Sequence, residues 1–210
     1  HIPKTGGTSV EECLDIRGDW QEENLDSCFG LIQSMPLMRF GFGTNFLQHL
    51  TFSELNVLLG DDLQGLTPFA VLRDPWSRLL SSFRRKDPDL CTSYQNRYGR
   101  DLHATTLPEY IDIASTFDHP HLRSQTRFLQ DDACPGQPSA DIKLFKHECL
   151  GELEQWLGSL ADKELRLPRK NVNLPKQNLP DLTSDQWALL EKSVRQIYQH
   201  DCKNFGYPMS

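Results

Sequence analysis

The strongest constraint on the fold is the order in which apolar runs, loops and helical patterns follow one another. Pro68 to Leu72 is a compact apolar run, followed at once by Arg73-Asp74-Pro75 and by a helical pattern that continues to Lys86. Such a run is typical of a strand buried in a parallel sheet. The sequence therefore predicts a strand, a loop and a helix in direct succession.

The same succession is found near both ends of the chain. His1 to Pro3 is interpreted as the end of a strand, Lys4 to Thr8 as a glycine-containing turn and Ser9 to Ile16 as an amphipathic helix. Ile142 to Phe145 predicts another strand, and Cys149 to Leu160 predicts the helix after it. Strands that alternate with helices predict an α/β domain, with a central, mostly parallel sheet flanked by helices in three layers. The length of 210 residues fits one domain over residues 1–210.

Three further segments predict helices. They are Phe52 to Leu59, Leu107 to Ser115 and a long closing helix from Ser184 to His200, with Thr183 or Ser184 as its N-cap. Asp87 to Thr106 is polar and aromatic without a period, so we expect a long surface excursion there.

Composition excludes several classes of protein. The net charge of −7 argues against a nucleic-acid binder. No stretch approaches the roughly 18 apolar residues of a membrane span.

The first motif begins at His1 without a leader, so the chain is interpreted as trimmed, and an upstream membrane anchor is compatible with it. The six cysteines have irregular spacings and no C-x-x-C pair, which argues against a metal site, whereas disulfides and free thiols both stay open.

The first motif that carries chemistry is the loop Lys4-Thr5-Gly6-Gly7-Thr8-Ser9. Glycines allow backbone N–H groups to turn inward, and the lysine adds a positive charge beside hydroxyl donors. These are the parts of an anion-binding loop, although a plain glycine turn has the same composition. The lysine precedes the glycines, unlike the G-x-x-x-x-G-K-[ST] order of nucleotide triphosphatases, which disfavours a magnesium-dependent kinase.

The second motif, RDPWSRLLSSFRR, follows the predicted strand directly. Arg73 at the strand end can present a planar fork to a phosphate, and Ser81, two helical turns later, can add a hydroxyl. The segment from Arg84 to Lys86 is interpreted as a solvated basic helix face. Two phosphate sites at neighbouring strand ends suit a ligand that is phosphorylated at both ends.

Both motifs together resemble those of a known enzyme family. HIPKTGGTS, followed about sixty residues later by VLRDPWSRLLSSF, resembles the signature pair of the Golgi-type carbohydrate sulfotransferases, which include heparan sulfate 2-O- and 6-O-sulfotransferases and chondroitin and dermatan sulfotransferases. HLRSQTRFL, IKLFKHECL and IYQHDCKNFGY also resemble later segments of that family. The resemblance covers nearly the whole chain and implies a P-loop-like fold.

The resemblance also implies a donor and the residues that bind it. The donor would be 3′-phosphoadenosine 5′-phosphosulfate (PAPS), and the product 3′-phosphoadenosine 5′-phosphate (PAP), with no metal. Its 5′-phosphosulfate would be bound by Lys4, Thr5, Gly6, Gly7, Thr8 and Ser9. Its 3′-phosphate would be bound by Arg73 and Ser81, and Arg169 and Lys170 resemble a loop that closes over the nucleotide.

The acceptor would be a carbohydrate or another hydroxyl compound. His49 is the candidate base, because it lies between the donor motifs and resembles the family's base-bearing stretch, and Glu54 is the second candidate. Lys4 would stabilise charge on the leaving oxygen. Candidate acceptor-binding residues are His121, Arg123, Gln125 and Arg127, whereas the other histidines are interpreted as structural.

Two other functions and the location stay open. A kinase of the P-loop type shares the strand, glycine loop and helix, and a catalytically silent nucleotide- or glycan-binding module would keep the site without turnover. The resemblance implies the Golgi lumen, with the cytoplasm not excluded. Acceptor specificity is expected in the segments Asp15 to Asn45 and Asp87 to Thr106.

Overall fold

The structure, a computed structural model, describes residues 1–14, 47–130, 134–168 and 179–209. Its helices and strands, in chain order, are α1 (Gly7–Cys13), α2 (Phe52–Leu59), β1 (Phe69–Leu72), α3 (Pro75–Arg85), α4 (Pro88–Tyr98), α5 (Leu107–Thr116), α6 (Gln125–Leu129), β2 (Lys143–Lys146), α7 (Leu150–Ala161), α8 (Ser184–Ile197) and α9 (Gln199–Phe205). The described residues form two compact units, each with its own core: residues 1–72 and 125–170 belong to unit 1, and residues 73–124 and 171–210 to unit 2.

Unit 1 is built on a short parallel sheet. Strands β1 and β2 pair in parallel, from Phe69 opposite Lys143 to Leu72 opposite Lys146. Strand β1 has the sequence FAVL, whose β-branched and aromatic side chains favour a half-buried pleated surface. Leu153 and Leu157, one helical turn apart on α7, pack with residues of both strands, and Val10 of α1 joins the same cluster. The described residues therefore contain a helix-rich α/β arrangement with a two-stranded parallel sheet.

The predicted strand end at His1 to Pro3 is wrong. The described sheet consists of β1 and β2 alone, and the chain turns between Pro3 and Gly6. The hydroxyl of Thr5 donates to the carbonyl oxygen of Ile2 over 2.8 Å. This carbonyl is thus used in a local turn rather than in a ladder between strands.

Unit 2 is helical and has a large aromatic and aliphatic core. Its buried centre includes Leu90, Tyr94, Tyr110 and Val194, from helices α4, α5 and α8. The helix starts explain why these segments fold locally. Thr106 and Thr183 each form a reciprocal capping box with the side chain three residues later, at the starts of α5 and α8. The predicted N-cap at Thr183 is confirmed.

The prediction of an excursion over Asp87 to Thr106 is wrong, because α4 occupies half of it. The helix starts with Pro88 at its first turn and ends at Gly99, whose φ of 67° is left-handed. Proline at the start and glycine just past the end are ordinary helix signals. Aromatic and polar residues hid the period, although Leu90 and Tyr94 lie one turn apart and are both buried.

Two further predictions near unit 2 need correction. The closing helix is interrupted at Tyr198, where α8 ends before α9 begins, and the Tyr198 hydroxyl donates to the carbonyl oxygen of Leu122 over 2.6 Å. Lys86 is not part of a solvated face: it is buried, and its Nζ donates to the carbonyl oxygens of His103 and Thr105. Lys86 is the C-cap of α3, and its backbone is left-handed, with a φ of 45°.

Two chemical features of the described residues bear on the expectations from sequence. Of the described cysteines, those at positions 13, 91, 149 and 202 are free thiols. Within the described ranges, no helix combines the length and the apolar character needed to cross a membrane.

Candidate functional site

The loop from Lys4 to Ser9 in unit 1 has an unusual backbone. Lys4 has a φ of 68° and Gly6 a φ of 98°, so both are in the left-handed region. For a residue with a Cβ this conformation costs about 1–2 kcal/mol. Strained backbone of this kind is concentrated at functional sites, where the surrounding structure enforces it. Lys86 and Asp162 are also left-handed, but each of them ends a helix, whereas Lys4 lies in the loop that the sequence motif predicts to bind an anion.

The two glycines of the loop are favoured for different reasons, Gly7 by its close approach to His1 and Gly6 by its left-handed backbone. A Cβ on Gly7 would lie 2.4 Å from carbons of the His1 ring, and a Cβ on Gly6 would lie 3.4 Å from Cδ2 of His147. The carbonyl oxygen of Gly6 accepts from the N–H of Ser9 over 3.0 Å and thereby starts α1. Glycine therefore suits both positions: a side chain would strain the backbone at Gly6 and would meet the His1 ring at Gly7.

The hydroxyl residues of the loop differ in their surroundings. Thr5 is buried and its hydroxyl is committed to the carbonyl oxygen of Ile2. Thr8 is exposed, while Lys4 and Ser9 are half-buried. The Thr5 side chain thus holds the loop, and Lys4, Thr8 and Ser9 are the side chains that a ligand can reach.

His49 lies in the same unit and contacts His1, whose ring lies close to Gly7 of the loop. It ends a short 3₁₀ turn, Leu47–His49, and is buried, with 4% of its surface exposed. Its Nδ1 is 3.2 Å from the carbonyl oxygen of His1. A carbonyl oxygen only accepts, so in the neutral ring Nδ1 carries the hydrogen and Nε2 carries the lone pair. This is the tautomer in which Nε2 can act as a base.

Three residues around the loop were not singled out as site residues from the sequence. The His1 ring packs edge-on against His49, with 4.9 Å between ring centroids, and its Nδ1 is 2.7 Å from Oε1 of Glu11 on α1. His147 follows β2 directly and lies over Gly6. The sequence contained one signal for His147: it lies at the carboxyl end of a predicted strand, where ligands of α/β sheets bind.

Glu54 is engaged at the start of α2. Its Oε2 accepts from the backbone N–H of Thr51 over 2.7 Å and from the Thr51 hydroxyl over 2.9 Å, while its own N–H donates back to that hydroxyl. This is a complete capping box. The arrangement gives Glu54 a structural task, so His49 is the better oriented of the two candidate bases.

The candidates for the 3′-phosphate belong to unit 2. Arg73 directly follows the last residue of β1 in the chain, and Ser81 lies in α3; both are half-buried. Between them, the Oδ1 of Asp74 accepts from the N–H of Ser77 over 2.9 Å, which caps α3. The neighbouring Ser82 is buried and is hydrogen-bonded to Tyr110 over 2.8 Å.

The candidates for acceptor binding in unit 2, His121 and Arg123, are buried and lie close to carboxylates. His121 has its Nδ1 3.1 Å from Asp87 and its Nε2 3.4 Å from Asp89, and Arg123 pairs with Asp118 over 3.0 Å. The nearby His119 is also buried: burial, followed by the charge of His121, lowers its pKa to about 4. These partners give His121 and Arg123 a role in holding the segment that contains them.

The remaining predicted site residues have three different outcomes. Gln125 begins α6 in unit 1 and is fully buried, whereas Arg127 in the same helix is exposed. Arg169 and Lys170 lie outside the described residues, as does the whole specificity segment Asp15 to Asn45.

No protein-family model, curated protein or solved structure matches the chain. The case for a function therefore depends on the sequence motifs and on the geometry of the described residues.

Proposed function

We propose that this chain is a sulfotransferase that moves a sulfuryl group from PAPS to a hydroxyl of a carbohydrate acceptor. The observation that carries the proposal is the left-handed backbone at both Lys4 and Gly6, in the loop that begins α1. The motifs that resemble carbohydrate sulfotransferases predict a donor site at this loop. The proposal includes the three-layer, P-loop-like architecture, which the parallel pairing of β1 and β2 supports.

The loop suits the anionic end of the donor. The ammonium of Lys4 supplies a mobile positive charge, and Gly6 has no side chain to obstruct an approaching anion. The exposed Thr8 and half-buried Ser9 add hydroxyl donors. In this proposal Lys4 stabilises the negative charge that develops on the bridging oxygen as its bond to sulfur breaks.

His49 is proposed as the general base. Its Nδ1 is hydrogen-bonded to the His1 carbonyl oxygen, and in the neutral ring Nε2 then has the lone pair that would take the proton of the acceptor hydroxyl. As the acceptor oxygen bonds to sulfur, His49 takes its proton, and PAP departs with the electron pair of the broken S–O bond. Such positioned proton transfer contributes typically about 10²–10⁴-fold to a rate.

Arg73 and Ser81 are proposed to bind the 3′-phosphate. A guanidinium can donate two parallel hydrogen bonds to a phosphate, and a serine hydroxyl can add a third. The N-cap at Asp74 fixes the backbone that links Arg73 to α3. This contact would distinguish PAPS from nucleotides that have no 3′-phosphate.

Transfer can be tested with PAPS that carries radioactive sulfur. The protein is incubated in EDTA with a panel of glycosaminoglycans and short neutral glycans, and label in the glycan is counted. We expect metal-independent transfer that falls by about 10²-fold or more in His49→Gln and is unchanged in His200→Gln, at an exposed histidine of unit 2. Phosphoryl transfer from magnesium-ATP, without sulfuryl transfer, would contradict the proposal.

A further inference from the structure

His1 connects two parts of unit 1 that are distant in the sequence. Its backbone nitrogen donates to the carbonyl oxygen of Gln48, and its own carbonyl oxygen accepts from Nδ1 of His49 over 3.2 Å. Its side chain contacts a different element, because Nδ1 is 2.7 Å from Oε1 of Glu11 on α1. The main chain of His1 is thus bound to the segment that contains the candidate base, and its side chain is bound to the helix that follows the donor loop.

Two residues of α1 hold the His1 ring against this helix. A Cβ on Gly7 would lie 2.4 Å from Cγ and Cδ2 of the ring, so the ring fills the space that a side chain would need. Glu11 comes four residues after Gly7, which places both residues on the same face of α1. The absence of a side chain at Gly7 therefore makes room for the ring, and the carboxylate of Glu11 fixes its rotation.

The contact between His1 and Glu11 is well shielded from water. Only 25% of the His1 side chain and 17% of the Glu11 side chain are exposed. A carboxylate only accepts hydrogen bonds, so Nδ1 of His1 carries the hydrogen whether or not the ring is protonated. An exposed ion pair orders its side chains weakly, whereas a short, largely buried hydrogen bond to a carboxylate defines one orientation.

The orientation of the His1 ring reaches His49 through a second contact. The two rings meet edge to face, with 4.9 Å between centroids and an interplanar angle of 84°. A general base works only within hydrogen-bond reach of an acceptor that is aligned with the transferring group. The distance between His49 and the donor loop therefore depends on contacts such as those of His1.

We propose that Glu11 and His1 are positioning residues for the base: Glu11 holds the His1 ring, and His1 fixes His49 relative to the donor loop. This inference rests on the proposed function, because it assumes that His49 is the base and that the loop binds the donor. Neither Glu11 nor His1 is proposed to take the proton or to touch the nucleotide. The role does not require His49 to lack other contacts.

Two substitutions of similar size isolate the hydrogen bond. Glu11→Gln keeps an acceptor for Nδ1 of His1, whereas Glu11→Met does not, and both remove the same negative charge. With radioactive PAPS and the glycan of the test panel that accepts most label, we expect kcat to fall by about tenfold in Glu11→Met. Glu11→Gln should retain most of the turnover. Calorimetric titration should give the same PAP affinity for both variants, because the contact orients the base and not the nucleotide.

A third variant tests whether the effect passes through His49. In His49→Gln there is no base to position, so the addition of Glu11→Met should lower kcat by less than about twofold. A general structural defect would lower kcat equally in both backgrounds. Glu152→Ala, at an exposed glutamate of α7 in the same unit, is the control and should leave kcat unchanged. If circular dichroism shows that Glu11→Met does not fold, His1→Phe removes the same pair and should give the same result.

The outcomes separate this inference from the proposed function. Equal kcat values for Glu11→Met and Glu11→Gln, a loss of PAP affinity that parallels the loss of kcat, or an undiminished effect in His49→Gln would overturn the positioning role alone. A wild-type protein that transfers label to no glycan, or a His49→Gln variant with full activity, would overturn the proposed function and this inference with it.

Discussion

Two adjacent serines of α3 should have opposite roles, because neighbouring residues on a helix point about 100° apart. Ser82 is fully buried and forms a 2.8 Å hydrogen bond with the hydroxyl of Tyr110, which is also fully buried. Ser81 is half-buried and is the proposed hydroxyl donor to the 3′-phosphate. We therefore expect Ser82→Ala to affect stability and Ser81→Ala to affect binding.

The size of each effect follows from the contacts. Ser82→Ala leaves the Tyr110 hydroxyl buried without this partner, which costs about 1–3 kcal/mol. Ser81→Ala should change the free energy of unfolding by less than about 0.5 kcal/mol, as is usual for substitutions outside a core. The loss of one hydrogen bond to a charged phosphate should weaken PAP binding by about tenfold.

Urea denaturation and calorimetric titration with PAP, applied to both variants, give the two quantities. Tyr110→Phe completes a double-mutant cycle: combined with Ser82→Ala, it should cost less than the sum of the single changes, because no unpaired hydroxyl is left. A stable Ser82→Ala variant with weakened PAP binding would refute the assignment of the two faces of α3.

Two further predictions concern the loop and the acid stability of the protein. Because the backbone of Lys4 is left-handed, the Lys4→Gly variant should be more stable than Lys4→Ala by up to about 1 kcal/mol in urea denaturation. Both variants should lose the same amount of PAP affinity. Equal stability of the two variants would argue against backbone strain at this position. Burial holds the pKa of His119 at about 4, below its ordinary 6.5. Between pH 4 and 6.5 the unfolded state therefore binds a proton at His119 more readily than the folded state does. The free energy of unfolding should therefore decrease as the pH falls from 6.5 towards 4, by at most about 1.4 kcal/mol per pH unit. The His119→Gln variant should show a smaller decrease in the free energy of unfolding between about pH 6.5 and 5, whereas the control His200→Gln, at an exposed position, should not. An identical pH dependence in the wild-type protein and both variants would contradict the assignment to His119.

Local signals predicted the parts of the fold that depend on local physics. The segment Phe52 to Leu59 forms a helix with the predicted bounds, and the apolar run before Arg73 forms β1. Capping explains this success: Thr51 and Thr183 close their helices with side chains only three residues away. A capping box involves two residues three positions apart, so it can be recognised from the sequence alone.

The failures occur where distant contacts decide the structure. Lys86 follows two arginines in a basic run, and its burial depends on the carbonyl oxygens of His103 and Thr105, which accept from its Nζ. These partners lie 17 and 19 residues further along the chain and are not visible in the local pattern, so periodicity alone predicted an exposed lysine. Periodicity also predicted an unbroken closing helix, whereas α8 ends and α9 begins at Tyr198, and nothing in the described contacts explains that break.

The candidate site could be predicted by residue type but not by geometry. The motif identified Lys4 and the glycines, yet it contained no sign that the Thr5 hydroxyl would be committed to Ile2. His49 was selected for its position between motifs, whereas its orientation depends on the carbonyl oxygen of His1. A general base needs a particular tautomer and ring orientation, and residues that are distant in sequence set both.

The central claim is a metal-independent site for a nucleotide with a 3′-phosphate, and calorimetric titration with PAP in EDTA tests it most directly. Lys4→Ala, Arg73→Ala and an ATP control are measured beside the wild-type protein. The account predicts tight binding of PAP that is lost in Arg73→Ala, weakened in Lys4→Ala and absent with ATP. No binding of PAP, or a preference for magnesium-ATP, would contradict it.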